Sequence, residues 1–565
     1  MPCVLKGRLL PALCLQAVVA LGGCSGTSDD DGPADPGPSS LEVVFTPSGG
    51  TFLSSQSVEL GVARRGARIH YTLDGTMPTA SSPVYGAPLQ LAASTRVRAL
   101  ALVPEESGSD AVPMGGRMGS GGSAGGSGIA FERGPIASET YLRVASDAAT
   151  FTSHLPILIV HTFESGRLDP QSDEFVPATL TLMEPTGGVS NLVGRASLDT
   201  RIGIHVRGAT SRDFPKKQYA VEFRADGADE DFDRAMLEMP AESDWVLSDP
   251  VPMDRALVRN ALAYALSNRI GRYAPRTRFV EAFLADSGGD VRNANFLGFY
   301  TVIEKIKRGP ERVDIVSLTG KDLSGPSVTG GFILRIDKGA NHLRAGGRDL
   351  QFVYPEPEEM ALPVRQPQVG FIRDYLDEFA GALSAPDFRN RTTGRHYSEL
   401  IDVDAWIDHN ILNALTKNVD ALRISAYFHK DREGLLCAGP IWDFDRSLGT
   451  PYDERAREPE EWKLADSDGT DYFADGWWAN LFRDPSFKTR YKARFSSLLE
   501  RELSPAQLDQ VVDSLAGQVG AAAQRNFARW PDSPPRNGSH QAEVTLLKDF
   551  LRRRVTWVRA ELAKW

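Results

Sequence analysis

The chain reads Asn418-Val-Asp-Ala-Leu-Arg-Ile-Ser-Ala-Tyr-Phe-His429 and, after a short polar turn, Gly439-Pro-Ile-Trp-Asp-Phe-Asp-Arg-Ser-Leu-Gly449. The run from Ile424 to His429 is rich in β-branched and aromatic residues, which favours a strand. Polar residues and a glycine at 431–434 are typical of a hairpin turn. Ile441 to Phe444 is then predicted to be the returning strand.

Three carboxylates flank this predicted hairpin. Asp420 precedes the first strand, and the second strand delivers Asp443 and Asp445. Carboxylates at opposite ends of a hairpin can hold a general base and a metal ion near each other. Alternatively, they cap turns and pair with Arg423 and Arg446, because acidic residues are common at strand ends. Residue chemistry alone leaves both interpretations open.

The N-terminus has the features of a targeting segment. Lys6 and Arg8 precede the apolar run Leu9 to Leu21, which has the length of a signal peptide rather than of a membrane span. The run ends Leu21-Gly-Gly-Cys24, which resembles a bacterial lipoprotein signal, and the resemblance implies a lipid on Cys24. Ser25 leaves an outer-membrane or cell-surface location open, so we expect a lipid-anchored protein of the cell envelope. An ordinary secretory peptide or a cytoplasmic protein with an apolar start are the alternatives.

Composition excludes some functions. The 565 residues are 41% hydrophobic and 24% charged, which is ordinary for globular proteins and gives room for about two or three domains. A formal charge of −11 argues against nucleic-acid binding, which requires a basic surface. Once the N-terminal cysteines are set aside, Cys437 is alone. We therefore expect neither an internal disulfide nor a cysteine-based zinc site, and we expect Cys437 to be a core residue.

Two polar stretches divide the N-terminal part. Residues 25–40 are predicted to be a disordered tether, and 104–127 is rich in glycine and serine. Residues 41–145 otherwise read as short alternating strands, ending with Glu139 to Val144. The segment Ile69-His-Tyr-Thr-Leu-Asp-Gly-Thr-Met-Pro-Thr-Ala-Ser-Ser-Pro-Val-Tyr85 resembles the β-sandwich appended to chitobiases and hexosaminidases, with 104–127 as a loop inside it. A structural spacer and a glycan-binding module both remain open.

From about residue 152 the pattern becomes mixed α and β. The loop Gly208-Ala-Thr-Ser-Arg-Asp-Phe-Pro-Lys-Lys217 lies between two alternating runs that predict strands. Small residues followed by the paired lysines Lys216 and Lys217 suit a polyphosphate, which is bound by backbone N–H groups and ammonium groups. A solvated basic hairpin is the alternative.

Glu304 directly follows an apolar run, which suggests a buried carboxylate that needs a cationic partner. Lys217 or Lys216 is the predicted partner. In the alternative, Glu304 is exposed and pairs with Lys307 or Arg308. The later part of the chain is predicted to be mainly helical, with helices over 254–270, 369–383, 402–415, 485–529 and 538–565.

Several motifs together resemble the CotH kinase family, from about residue 152 to beyond 500. The resemblance is carried by Arg207 to Tyr219, Asp254-Arg-Ala-Leu-Val-Arg-Asn260, Tyr273 to Val280, Gly298-Phe-Tyr-Thr-Val-Ile-Glu304, Asn418-Val-Asp420 and Gly439-Pro-Ile-Trp-Asp-Phe-Asp445. It implies an α+β fold, a diverged two-lobed protein-kinase domain over 152–565. It also implies transfer of phosphate from ATP, with Mg²⁺ or Mn²⁺, to Ser or Thr of a protein.

The resemblance assigns roles to the hairpin carboxylates. Asp420 matches the catalytic Asp and Asp443 the metal-binding Asp, and Asp445 assists the metal. Ordinary kinases place a metal-binding Asn five residues after the catalytic Asp, where this chain has Ser425. A hydroxyl is a weaker ligand than an amide oxygen, so a second metal site is in doubt.

The same resemblance assigns the phosphate-binding residues. Lys217, with Lys216 as the other candidate, contacts the phosphates, Glu304 holds that lysine, and Arg207 belongs to the same group. The rival hypothesis is a cell-surface binding or adhesion protein with a catalytically silent kinase-like domain. A glycan hydrolase is a third hypothesis, and only the resemblance of the N-terminal sandwich favours it.

Overall fold

The computed structural model describes residues 41–104, 131–340 and 342–565. The predicted lipidation site Cys24, the tether 25–40 and nearly all of the glycine- and serine-rich stretch 104–127 lie outside the described residues. Within the described ranges, no helix is both long enough and apolar enough to cross a membrane.

Two small sheets form the N-terminal part. The strands are β1 Val43–Thr46, β2 Gly50–Phe52, β3 Gln56–Val62, β4 Arg68–Thr72, β5 Leu89–Leu91, β6 Thr95–Pro104 and β7 Phe131–Arg143. One sheet has the order β1-β3-β5 and the other β2-β7-β6-β4. Their alternating apolar residues, such as Val43 and Phe45 in β1, are buried in a common core, as expected for sheets with one solvated face. Strand β7 begins eight residues before the predicted Glu139.

A closed barrel follows. Its region contains β8 Thr152–Ser153, β9 Ile157–His161, β10 Val176–Met183, β11 Ser190–Asn191, β12 Leu198–Arg207, β13 Gln218–Arg224, β14 Arg234–Met236, β15 Met239–Glu242, β16 Asp244–Ser248, helix α1 Arg259–Arg269, β17 Thr277–Ala285 and β18 Phe296–Glu304. Seven strands close in the order β10-β12-β13-β16-β18-β17-β9. Neighbouring strands are antiparallel except β17 and β9. Closure leaves no free sheet edge, and inward side chains such as Phe223, Trp245 and Tyr300 fill the interior.

The N-terminal sheets are attached to the barrel by direct hydrogen bonds. The Thr51 N–H donates to the Gly194 carbonyl at 2.8 Å, and the Thr51 hydroxyl donates to the Leu192 carbonyl at 2.6 Å. The Thr140 N–H donates to the Asp199 carboxylate at 2.8 Å. These contacts fix the module against the barrel wall.

The C-terminal part combines a sheet with helices. Its elements are β19 Phe332–Ile336, β20 Leu343–Ala345, β21 Arg348–Tyr354, α2 Pro357–Met360, α3 Gln366–Ser384, α4 Val403–Thr416, β22 Ala426–Lys430, β23 Leu436–Ala438, α5 Glu454–Arg457, α6 Gly476–Leu481, α7 Pro485–Glu500, α8 Pro505–Val519, α9 Ala522–Arg529 and α10 His540–Ala563. The sheet order is β20-β21-β19-β22-β23. The prediction of a mixed α and β chain with a β-rich N-terminal part is confirmed.

The predicted hairpin is only partly correct. β22 pairs with β23, but β23 is Leu436–Ala438, and the segment Ile441 to Phe444, predicted to be the returning strand, is irregular. Asp443 has a φ of 66°, which is incompatible with a strand. Cys437 is buried in β23 as expected, but it is disulfide-bonded, so the expectation of a lone thiol is wrong.

Candidate active site

Lys216 lies at the end of the loop between β12 and β13, and its side chain is 3% exposed. Its Nζ is 2.8 Å from Asp249 Oδ1, and it donates to the Phe299 carbonyl at 2.5 Å and to Asn526 Oδ1 at 2.9 Å. It also lies 4.4 Å from the centre of the Tyr300 ring. Burial lowers the pKa of Lys216 below its usual 10.5, and the charge of Asp249 opposes this shift.

Asp249, which directly follows β16, is the partner that sequence analysis missed. Its Oδ1 accepts from Lys216, whereas its buried Oδ2 has no hydrogen-bond partner in the part of the chain that the structure describes. A gap too small to hold a ligand in this conformation is lined by Lys216, Asp249 and Asp445, with Ser211 and Phe214 from the loop that follows β12. The sequence does contain a signal for Asp249, since it is an acidic residue directly after an apolar strand, which is the same pattern that singled out Glu304.

Glu304 is fully buried and satisfied by other groups. Arg276 Nε lies 2.8 Å from its carboxylate, the Arg276 N–H donates to it at 2.8 Å, and Arg312 Nη2 lies 3.8 Å away. The Tyr273 hydroxyl donates to it at 3.4 Å. This arginine-rich environment compensates the buried charge.

The predicted pairing of Glu304 with Lys216 or Lys217 is therefore wrong, and so is the alternative of an exposed Glu304 beside Lys307 or Arg308. Lys217 Nζ instead donates to the Arg212 carbonyl at 2.5 Å. The reason is strand direction. β16 and β18 are antiparallel, so the end of β18 and the residue after β16 lie toward opposite ends of the barrel.

Helix α1 shapes the loop that carries Asp443. Asn260 Oδ1 accepts the Phe444 N–H at 2.6 Å, and the Tyr264 hydroxyl accepts the Asp443 N–H at 3.2 Å. The Trp442 ring stacks on Tyr264 with centroids 6.0 Å apart. These bonds replace the strand pairing that the sequence predicted for the segment, and they give the second half of the Asp254 to Asn260 motif a structural role.

Asp254 and Arg259 anchor the start of α1. The Asp254 carboxylate accepts the Arg259 N–H at 2.7 Å and forms an ion pair with the Arg259 guanidinium. Arg259 in turn donates to the carbonyls of Ser447 at 3.1 Å and Leu448 at 3.3 Å. The predicted helix at 254–270 is thus present, but it begins at Arg259 because Asp254 caps the preceding turn.

Asp443 is accessible to solvent but surrounded by protein, as in a cleft. Burial of its carboxyl raises the pKa of Asp443 above 3.8; the charge of Arg207 opposes the shift, and Asp420 and Asp337 add to it. The Ser425 hydroxyl lies 3.4 Å from Asp443 Oδ2. The structure therefore brings Arg207 and Ser425 close to the predicted metal-binding Asp.

Asp445 is 8% exposed. Burial, followed by the charges of Asp443 and Asp254, raises the pKa of Asp445 well above its usual value, with Arg446 opposing. Two crowded carboxylates are suitable ligands for Mg²⁺, which prefers oxygen and commonly binds one or two carboxylates together with substrate phosphates. In the described residues, no group of three or more His, Cys, Asp and Glu side chains is placed to hold a metal ion.

Asp420 is 19% exposed and is held by arginines. Arg446 Nη1 lies 3.1 Å from it, Arg455 Nη2 3.5 Å and Arg423 Nη2 3.9 Å. Asp453 bonds both Arg446 and Arg455, at 2.6 and 2.7 Å. The ion pairs of the structural alternative are therefore present. They orient the Asp420 carboxylate and leave it partly open to solvent.

Comparison with known families identifies the chain. Residues 204–558, more than half of the chain, match the family described as CotH kinase protein, and residues 47–112 match the Chitobiase/beta-hexosaminidase C-terminal domain. The chain belongs to the CotH kinase family. Both resemblances inferred from the motifs are confirmed, and no curated protein matches the chain.

Proposed function

We propose that the chain is a lipid-anchored protein kinase of the cell envelope, which transfers the γ-phosphoryl group of ATP to Ser or Thr of a protein acceptor. The observation that carries this proposal is that Lys216, Asp249 and Asp445 line one small gap, because this brings a cation suited to phosphate near a carboxylate suited to a metal. In this proposal, the barrel and the helical C-terminal part serve as the two lobes of a diverged kinase fold.

Lys216, rather than Lys217, binds the phosphates in this proposal. Lys216 lines the same gap as Asp445, and the loop that leads to Lys216 is tightly folded. Gly208 has a φ of 106°, and a Cβ there would lie 1.9 Å from the Ser211 hydroxyl. Arg207, beside Asp443, adds positive charge where the terminal phosphate would lie.

Asp443 and Asp445 would hold Mg²⁺ or Mn²⁺. The ion supplies neutralisation of phosphate charge, which is a principal requirement of phosphoryl transfer. Ser425, next to Asp443, offers a hydroxyl where ordinary kinases have an amide oxygen.

Asp420 acts on the acceptor. The acceptor hydroxyl oxygen forms a bond to the γ-phosphorus, the bond from that phosphorus to the bridging oxygen breaks, and ADP leaves. Asp420 accepts the hydroxyl proton. Its ion pairs with Arg446 and Arg455 hold the carboxylate in one orientation, which favours a single direction of attack.

The test is transfer of labelled phosphate from ATP to a generic protein acceptor, with Mg²⁺ and with Mn²⁺, by the wild type and by Asp443→Ala. We expect labelling by the wild type alone. Equal labelling by both proteins, or none with either metal, would contradict the proposal. A melting curve that does not change at millimolar ATP, with binding of glycans by the N-terminal module, would favour the silent surface-binding alternative; ATP at a hundredfold over its Kd should add about 2.7 kcal/mol of stability.

The membrane anchor has its own test. Metabolic labelling with a fatty acid should mark the wild type and Cys14→Ala, but not Cys24→Ala. Labelling of the Cys24→Ala protein would show that Cys24 does not carry the lipid.

A further inference from the structure

Helix α9 lies against the barrel strand β18 and places Asn526 beside Lys216. Asn526 is fully buried, and its Oδ1 accepts from Lys216 Nζ at 2.9 Å and from the Phe299 N–H at 3.1 Å. Gly298 admits this side chain, because a Cβ at that position would lie 2.5 Å from Asn526 Oδ1. A residue 310 positions later in the chain thus contacts the pocket lysine.

We propose that Asn526 is a positioning residue for Lys216, and that helix α9 is therefore part of the nucleotide site; this rests on the proposed phosphate-binding role of Lys216. The three donors of the ammonium group are taken by Asp249, Phe299 and Asn526, which come from three separate segments, so the group acts on phosphate through its charge and not through a further hydrogen bond. Asp249 already supplies one negative charge. An amide oxygen orients the ammonium without a second negative charge that would compete with phosphate.

The amide nitrogen of Asn526 supports this assignment. It is buried and has no hydrogen-bond partner among the described residues, which is unfavourable for stability. The side chain therefore makes its polar contacts in the described structure through its oxygen alone, and an apolar residue would avoid the unpaired nitrogen. A role for the oxygen at Lys216 explains why a buried amide is present.

Other residues near α9 provide controls. Arg529 Nε donates to the Phe296 carbonyl at 2.6 Å, and Trp530 Nε1 donates to the Leu297 carbonyl at 2.8 Å. Both bonds attach the helix to β18 without contacting Lys216. Arg529→Ala therefore loosens the helix while it leaves the Lys216 contacts in place.

The test is a double-mutant cycle in the full chain, with Kd measured for Mg·ATP and for adenosine. Asn526→Ala should weaken ATP binding about tenfold, the size expected for a hydrogen bond to a charged group, and leave adenosine binding unchanged. In the Lys216→Ala background it should have no further effect on ATP, because the group it positions is gone. Arg529→Ala should leave the ratio of the two Kd values unchanged. Additive losses in the cycle, or equal weakening of ATP and adenosine, would overturn the proposal.

Failure of Asn526→Ala to fold and failure of the wild type to bind ATP have different consequences. If Asn526→Ala does not fold, Asn526→Asp keeps the acceptor oxygen, and it should fold and bind ATP more weakly because of the added charge; unchanged ATP affinity would overturn the proposal. If the wild type binds no ATP, the proposed function fails. The contact is then decided by unfolding equilibria of the same four proteins, in which non-additive effects support positioning and additive effects contradict it.

Discussion

The buried carboxylates at the two ends of the barrel differ in how completely they are hydrogen-bonded. At one end Glu304 is surrounded by Arg276, Arg312 and Tyr273, so its charge is compensated within the protein. At the other end Asp249 bonds Lys216 with one oxygen and leaves the other without a partner in the described structure. The two residues look alike in sequence, since each follows an apolar strand.

In the proposed function, the Glu304 ion pairs are structural and the Lys216–Asp249 ion pair belongs to the nucleotide site. Removing a partner from a fully bonded buried carboxylate is strongly destabilising, because it leaves an uncompensated buried charge. Buried polar atoms without partners are costly and are tolerated where a ligand completes them. Asp443 and Asp445 add two more carboxylates without full compensation. Burial raises the pKa of each, Asp420 adds to the rise at Asp443, and Asp443 adds to the rise at Asp445.

The largest expected effect is on phosphoryl transfer, and it comes from a substitution at the end of the barrel that carries Lys216 and Asp249. Asp443→Asn should lower phosphoryl transfer about a thousandfold, about 4 kcal/mol in activation free energy, because a metal ligand is lost. Its unfolding midpoint should not fall at neutral pH, since the fold raises the pKa of Asp443 and the substitution removes that unfavourable charge. Initial-rate assays and denaturant titration measure the two effects. Asp337→Asn, which removes a nearby charge, is the control and should retain most activity.

Glu304→Gln should lower the stability of the protein and leave nucleotide binding unchanged. It leaves Arg276 and Arg312 without their buried partner, so the free energy of unfolding should fall by about 3 kcal/mol. Denaturant unfolding measures this loss. The folded fraction should bind Mg·ATP with the affinity of the wild type, and weaker binding by that fraction would remove the distinction between the two ends.

Asp445→Asn should stabilise the protein where Glu304→Gln destabilises it. The folded state raises the pKa of Asp445, so it binds the carboxyl proton more tightly than the unfolded state does. The contribution of Asp445 to stability therefore falls as pH rises from 3.8 toward the raised pKa. The variant should therefore unfold at a higher temperature than the wild type at neutral and alkaline pH, and the difference should vanish in acid. Thermal melts across pH measure this, and a lower melting temperature at alkaline pH would contradict it.

The smallest effect concerns a second metal ligand. Ser425 has a φ of 53°, a conformation that Asn adopts readily, and its hydroxyl lies 3.4 Å from Asp443. Ser425→Asn should keep the fold and tighten Mg²⁺ binding about threefold, since an amide oxygen is the better ligand. Ser425→Ala is the matched control. Equal Mg²⁺ affinities of Ser425→Ala and Ser425→Asn in a metal titration would show that residue 425 is not a metal ligand.

The sequence can propose candidate residues where they share a local motif, but it paired residues wrongly where the partners come from distant strands. The sequence alone could propose Asp420 and Asp443 as one site because their motifs lie 23 residues apart in one segment. Asp249 was missed because the choice between two acidic strand ends depends on strand direction. Asn526 has no local signal at all, since its partner is 310 residues away.

The fold shows the same division. Alternating apolar runs predicted most barrel strands, because burial on one face imposes that pattern. The segment Ile441 to Phe444 looked like a strand, but the side chains of Asn260 and Tyr264 take its N–H groups. Tertiary contacts of this kind override local propensity.

The central claim is that the Lys216 end of the barrel binds nucleotide and the Glu304 end does not. Titration calorimetry with Mg·ATP on the wild type, Lys216→Met and Arg276→Met tests it, because each variant removes one cation from a buried carboxylate. We predict binding at least about tenfold weaker for Lys216→Met and unchanged for Arg276→Met. Equal affinities for the wild type and Lys216→Met, or a loss in Arg276→Met alone, would contradict the account.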